Sequence, residues 1–181
     1  MNIFYINEDP IIAAQELADD HIRKMQIECA QMLSTAYRIS EGELVLQPSN
    51  SGKRIIKHYK IEGKGENIIY KMAHVNHPST IWTRQSIQHY RWLIEHGLKV
   101  CYEFNKRYLK RHKTQDVLEW LKENEPSIPD NGFIPPPQCM PEEYKRENTL
   151  EAYRTFYILD KIGIKKLKYN KLNNTPKWIK K

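Results

Sequence analysis

The sequence predicts a mainly α fold in a single compact domain, and three observations lead to it. Apolar residues recur at three- and four-residue steps along two long stretches, 11–39 and 78–111. Two-residue alternation, the mark of strands, is confined to a short basic region, 53–71. With 181 residues, 40% of them hydrophobic, the chain can bury one core but would divide it poorly between two domains.

The elements follow in order. Asn2 to Ile6 reads as a short strand or an extended arm. Asp9 and Pro10 make a helix start, an N-cap carboxylate followed by proline at the first helical position. From Ile11 to about Ile39, Ala14, Ala18, Ile22, Met25, Cys29, Met32 and Ala36 form one helical stripe. Gly42 and Pro48 to Gly52 mark its exit loop. RIIKHYKI and ENIIYK flank Gly63-Lys64-Gly65, a pattern that predicts a basic hairpin over 53–71. A second long helix starts at Pro78-Ser79-Thr80 and runs to about Arg111. Its stripe is Ile87, Tyr90, Ile94, Leu98, Cys101, Phe104 and Tyr108. A shorter helix spans about Gln115 to Asn124. Six prolines between 126 and 141 then make an ordered loop rather than a linker. A last helix, Thr149 to Ile162, stops at Gly163. The division is a helical domain over 1–163 and a basic tail over 164–181.

Several classes fall away. No apolar run reaches the roughly 18–20 residues of a membrane span, and residues 1–10 lack the basic start and apolar core of a secretory signal. A cytoplasmic protein is the expectation. Cys29, Cys101 and Cys139 are odd in number and far apart, which argues against disulfides and a cysteine zinc site. Neither metal nor cofactor is expected, no Walker, GxGxxG, GxSxG or HExxH motif is present, and a monomer is the working expectation.

The net charge of +7 is segregated. Residues 1–52 carry −5, residues 53–113 carry +10, residues 114–160 carry −6, and residues 161–181 hold eight lysines and no acid. Such contrast is the footprint of a polyanion binder; the alternative is a solvated helix face with a basic tail.

Three constellations stand out. His21 and Glu28 lie seven residues apart on the first helix, about 20° apart around its axis and roughly 10.5 Å along it. There a carboxylate is raised by desolvation or lowered by a cation, and the pair serves acid–base work or a structural hydrogen bond. Lys71, His74 and His77 lead into the second helix, where the N–H groups of Ser79 and Thr80 suggest a phosphate seat. His74-x-x-His77 is also half a metal site, without a third ligand at a recognisable spacing. Arg84, Gln88, Arg91 and Glu95 form a stripe interleaved with Trp82, Tyr90 and Trp92, suited to phosphates and unstacked bases or to an outer helix face. Lys53, Arg54 and Lys57 add the basic hairpin to the candidate phosphate contacts.

The run Leu17-Ala18-Asp19-Asp20-His21-Ile22, with Glu28 seven residues after the histidine, resembles the first long helix of the phage pyrimidine-dimer DNA glycosylases of the endonuclease V type. That helix carries Leu-Ala-Asp-x-His-Leu and a catalytic Glu at the same spacing. The likeness continues in outline through His77-Pro78, the second long helix, and Ile128-Pro129 and Ile134-Pro135 before a final aromatic-rich helix. It covers most of the chain, and the first segment is its specific part.

The resemblance implies a glycosylase/AP lyase acting on double-stranded DNA. A terminal amine attacks C1′ of the damaged nucleotide and forms a Schiff base, the carboxylate of Glu28 assists, and His21 orients the sugar. Extrusion of a base from a bent duplex calls for a basic surface. Two positions depart from the family. Asn2 stands where the family has a small Thr exposed by loss of the initiator Met, which assigns the amine to Met1, or the role to Lys24 or Lys71. Ile27 stands where the family has Arg. Two other readings stay open. One is a transferase that modifies a pyrimidine activated by phosphate or pyrophosphate in phage-type DNA, and the other is a DNA-binding protein without catalysis.

Overall fold

The structure is a computed structural model that describes residues 1–49, 51–171 and 175–179. Asp9 caps α1 (Pro10–Gln15) as expected, its carboxylate accepting the N–H groups of Ile11 and Ile12 at 2.7 and 3.1 Å. The first long stripe is not one helix. After α1 the chain turns at residues 16–18 and resumes as α2 (Asp19–Glu41). The break is held by partners far away in sequence. Arg107 donates to the carbonyls of Gln15 and Leu17, both at 2.8 Å, and Tyr169 donates to that of Glu16. The Ala18 N–H goes to the Tyr157 hydroxyl. The carbonyls of Gln15, Glu16 and Leu17 and the Ala18 N–H, released by the interruption, thus all have new partners.

The hairpin exists, but with a different partner strand. β1 (Glu43–Pro48) pairs antiparallel with β2 (Ile55–Lys60), from Glu43 opposite Lys60 to Pro48 opposite Ile55. The segment expected as the second strand instead forms α3 (Gly65–Ile68). Glu66 draws it inward: its carboxylate accepts from Arg38 at 2.6 Å and from the Ile61 N–H at 3.0 Å. Arg38, wholly buried, also donates to the carbonyls of Tyr59, Glu66, Ile69 and Tyr70. Gly65 is required there, because a Cβ would sit 2.5 Å from the Trp120 ring.

The second long stripe also divides, into α4 (Pro78–Thr83) and α5 (Ile87–Tyr108). Ser86 caps α5 through its hydroxyl, and the Ile87 N–H bonds the Pro129 carbonyl of the proline loop. α6 (Thr114–Glu123) falls where expected. The proline loop is ordered against the core: Trp82 donates to the Ile134 carbonyl, and the Ile134 N–H donates to His89. α7 (Thr149–Phe156) widens into π-helical turns over Tyr157–Ile164, so Gly163 lies inside the last helical segment rather than ending it. The backbone reverses at Lys166, where φ is 57°. Beyond it, the N–H groups of Asn170 and Lys171 bond the Asp19 carboxylate, so this part of the tail is docked.

The core lies between α2 and α5, which cross closely enough that a Cβ on Gly97 would come within 3.1 Å of Cys29. Ile3 to Ile6 are buried beside it as an extended arm. The fold is mainly α, and among the described residues no helix is long and apolar enough to cross a membrane.

Candidate functional site

The site begins with burial of the first residues. Ile3, Phe4, Tyr5 and Ile6 are apolar and at most 5% exposed. Their burial pulls the chain terminus onto α2. Phe4 takes a left-handed backbone, φ 54°, which a bulky residue adopts only when its surroundings impose it. Its ring stacks on His21 at 4.3 Å.

Asn2 then fixes the end. Its side-chain oxygen accepts the N–H groups of Ile3 and Phe4 at 2.8 and 3.1 Å, and its amide donates to the Cys139 carbonyl at 2.8 Å. Its own N–H donates to Glu28 Oε2 at 2.8 Å. The terminal ammonium of Met1 lies 3.9 Å from the same oxygen, and Lys24 Nζ lies 2.9 Å from Oε1. The Met1 side chain is 2% exposed while the residue as a whole is half-buried, so its exposure lies at the main-chain end.

His77 completes the group. Its Nδ1 accepts the Ser79 N–H at 3.2 Å, which leaves the proton of the neutral ring on Nε2. Burial lowers its pKa below the ordinary 6.5, the terminal ammonium and His74 push it the same way, and Glu28 opposes them. Met1 and His77 open onto a shallow cleft of about 890 Å³, walled by Pro78, Pro137, Gln138, Cys139 and Met140, with Lys145 and Arg146 at its rim. A primary amine beside a buried carboxylate can add to an electrophilic carbon while the carboxylate offsets positive charge or takes a proton.

The structure brings Met1, Glu28 and His77 together and leaves His21 apart from them. His21 is enclosed by Phe4 and Tyr157, whose hydroxyl lies 2.9 Å from its Nδ1. Burial, with Lys161 and Lys24, lowers its pKa to about 3. Its ring supports the terminal arm through Phe4 and Tyr157.

The expected phosphate contacts separate. Lys53, Arg54, Lys57 and Lys71 do converge, around a second groove of about 850 Å³ that Val75 and Met72 also line. Residues 72–77, including exposed His74, join the two clefts. The seat at Ser79 and Thr80 is not free, because His77 accepts both N–H groups and both residues are fully buried. The arginine stripe is also committed. Arg84 turns back to the Val75 carbonyl at 2.8 Å, a consequence of the helix break beside it. Arg91 makes a bidentate pair with Glu125 at 2.6 and 2.7 Å, and Glu95 pairs with Lys122. Trp82, Tyr90 and Trp92 are buried core residues rather than a stacking surface.

Sequence reasoning missed Asn2 as an organiser, and Gln138, Cys139, Lys145 and Arg146 as cleft residues. Lys145-Arg146 had one visible signal, two adjacent cations in an acidic stretch; Asn2 stood out only as a departure from the resembled family, and Gln138 and Cys139 had no signal. Among the described residues no group of three His, Cys, Asp or Glu side chains is placed to hold a metal ion. Comparison with models of protein families, with curated proteins and with solved structures finds no match to the chain.

Proposed function

We propose that the protein acts on double-stranded DNA as a pyrimidine-dimer-type N-glycosylase and AP lyase, with the Met1 amine as nucleophile and Glu28 as its carboxylate partner. The observation that carries this reading is the ammonium held 3.9 Å from a buried carboxylate at an open cleft. The deprotonated amine attacks C1′, and the glycosidic bond breaks with its electron pair leaving on the base. Opening of the sugar gives the Schiff base. Glu28 steadies the sugar cation, then accepts the C2′ proton as the C3′–O bond breaks and the phosphate departs. Hydrolysis of the imine returns the amine. His21 positions the arm behind Asn2, and Lys53, Arg54, Lys57 and Lys71 supply phosphate contacts.

Borohydride reduction with abasic or dimer-containing duplex tests it. The expected result is a covalent protein–DNA adduct, lowered about 100-fold or more in Glu28→Gln. Absence of an adduct together with an unaffected Glu28→Gln variant would refute the lyase.

One observation favours a second reading. Lys145 and Arg146 line the cleft beside His77, with Lys145 paired to Glu142, and cations there suit a departing phosphate anion. A base-modifying transferase would use them for a phosphate or pyrophosphate leaving group. It would release that anion from activated DNA and leave no borohydride adduct.

A further inference from the structure

The hairpin carries an outer face that the proposed chemistry does not use. In an antiparallel pair, residues opposite one another share a face. One face holds Val45 and Gln47 with His58 and Ile56. It turns inward, since His58 is buried against Glu66. The other holds Leu44 and Leu46 with Tyr59 and Lys57, and Pro48 with Ile55. On it Leu44 is 47% exposed, and Leu46 and Ile55 are each 63% exposed. A two-stranded ribbon gains little from displaying aliphatic side chains to water.

The charge is one-sided at the turn end of the ribbon, whereas at the far end Lys60 lies with Glu41, Glu43 and Glu62. No acidic residue occurs from Leu44 to Ile61, whereas Lys53, Arg54, Lys57 and Lys60 do. The first three also line the basic groove with Lys71; Gln47, Ile56 and His58 place that groove on the inward side of the ribbon, so cations flank the apolar face from behind. Aliphatic residues flanked by cations on a narrow ribbon match what a DNA groove accepts. The cations neutralise the phosphates on either side, and the apolar side chains press on base edges or between base steps, which bends the duplex.

We propose that the hairpin is a groove-inserting ribbon for duplex DNA, with Leu46 and Ile55 as the apolar wedge and Lys53, Arg54 and Lys57 on the phosphates. This rests on the DNA part of the reading above and not on the amine chemistry. Insertion would let the protein hold DNA bent before any reaction.

The test is equilibrium binding and end-to-end fluorescence energy transfer on an undamaged duplex. The parent is expected to bind and bend it. Leu46→Ser/Ile55→Ser should lose the bend and bind about 10-fold more weakly, with its salt slope kept. Lys53→Gln/Arg54→Gln/Lys57→Gln should flatten the slope of log K against log salt by about 2.7, three phosphate contacts at roughly 0.9 each. The exposure of Leu46 and Ile55 leaves the core intact, and an unchanged melting curve checks this. A serine variant that binds and bends like the parent overturns the proposal. A DNA-free dimer that becomes a monomer in the serine variant also overturns it, because the face would then join two copies. The borohydride result stands apart: an adduct without bending removes the ribbon alone, and bending without an adduct removes the lyase alone.

Discussion

At the level of single residues, a few buried polar groups hold the site. The Asn2 side chain makes three hydrogen bonds that shape the terminal turn and tie it to the Cys139 carbonyl of the proline loop, while its main-chain N–H meets Glu28. Asn2→Ala should cost about 1–3 kcal/mol of stability, seen in a denaturant titration. It should also slow adduct formation more than Asn2→Asp, which keeps the accepting oxygen. His21 and His96 give a pH dependence. Burial lowers them from the ordinary 6.5 to about 3 and about 4, so the folded state takes up protons less readily than the unfolded chain. Stability is then fully present above about pH 6.5 and is lost as pH falls toward the folded values, by about 2 kcal/mol for each at about pH 5. His77, His89 and His112 are lowered too and act in the same direction. Unfolding free energies at neutral pH and about pH 5 check the sign; equal stability at both would contradict it. Glu28 was legible as a candidate because its spacing from His21 is local. Asn2 was not, because its partners Glu28 and Cys139 are distant in sequence.

At the scale of the element, helix existence was legible and helix continuity was not. Ala14, Ala18 and Ile22 keep their spacing across residues 16–18, so periodicity alone runs through the break. What interrupts the helix is Arg107, buried on α5, taking the Gln15 and Leu17 carbonyls and pairing with Asp19 and Glu103. Arg107→Met should therefore destabilise by about 3–5 kcal/mol, since it leaves the Gln15 and Leu17 carbonyls without their donor and removes the cation that Asp19 and Glu103 share. A fall in denaturant midpoint at constant slope checks it. One basic strand of the hairpin, Ile55–Lys60, was legible, but its partner Glu43–Pro48 was not, because that segment reads as the exit from the first long helix. The Glu66–Arg38 pair pulls the expected second strand into α3, and no property of ENIIYK taken alone reveals that pairing.

At the scale of the whole molecule, the segregation of charge was the most readable feature, and the structure divides its cations into free and committed sets. Lys53, Arg54, Lys57 and Lys71 gather around one groove, whereas Arg84 and Arg91 are spent on internal partners. Lys71→Gln should weaken duplex binding and flatten its salt slope by about 0.9, while Arg91→Gln should leave both unchanged. The clefts were less legible than the charge, since the proline loop delivers Lys145 and Arg146 to the terminus only through tertiary packing. Whether the terminal amine is the reacting group is decided by mapping the borohydride-reduced adduct on abasic duplex by peptide mass. One sugar remnant is expected on the amine of the N-terminal peptide that begins at Met1. A remnant on Lys24 or Lys71, or no remnant on an intact free terminus, would contradict that role for the amine.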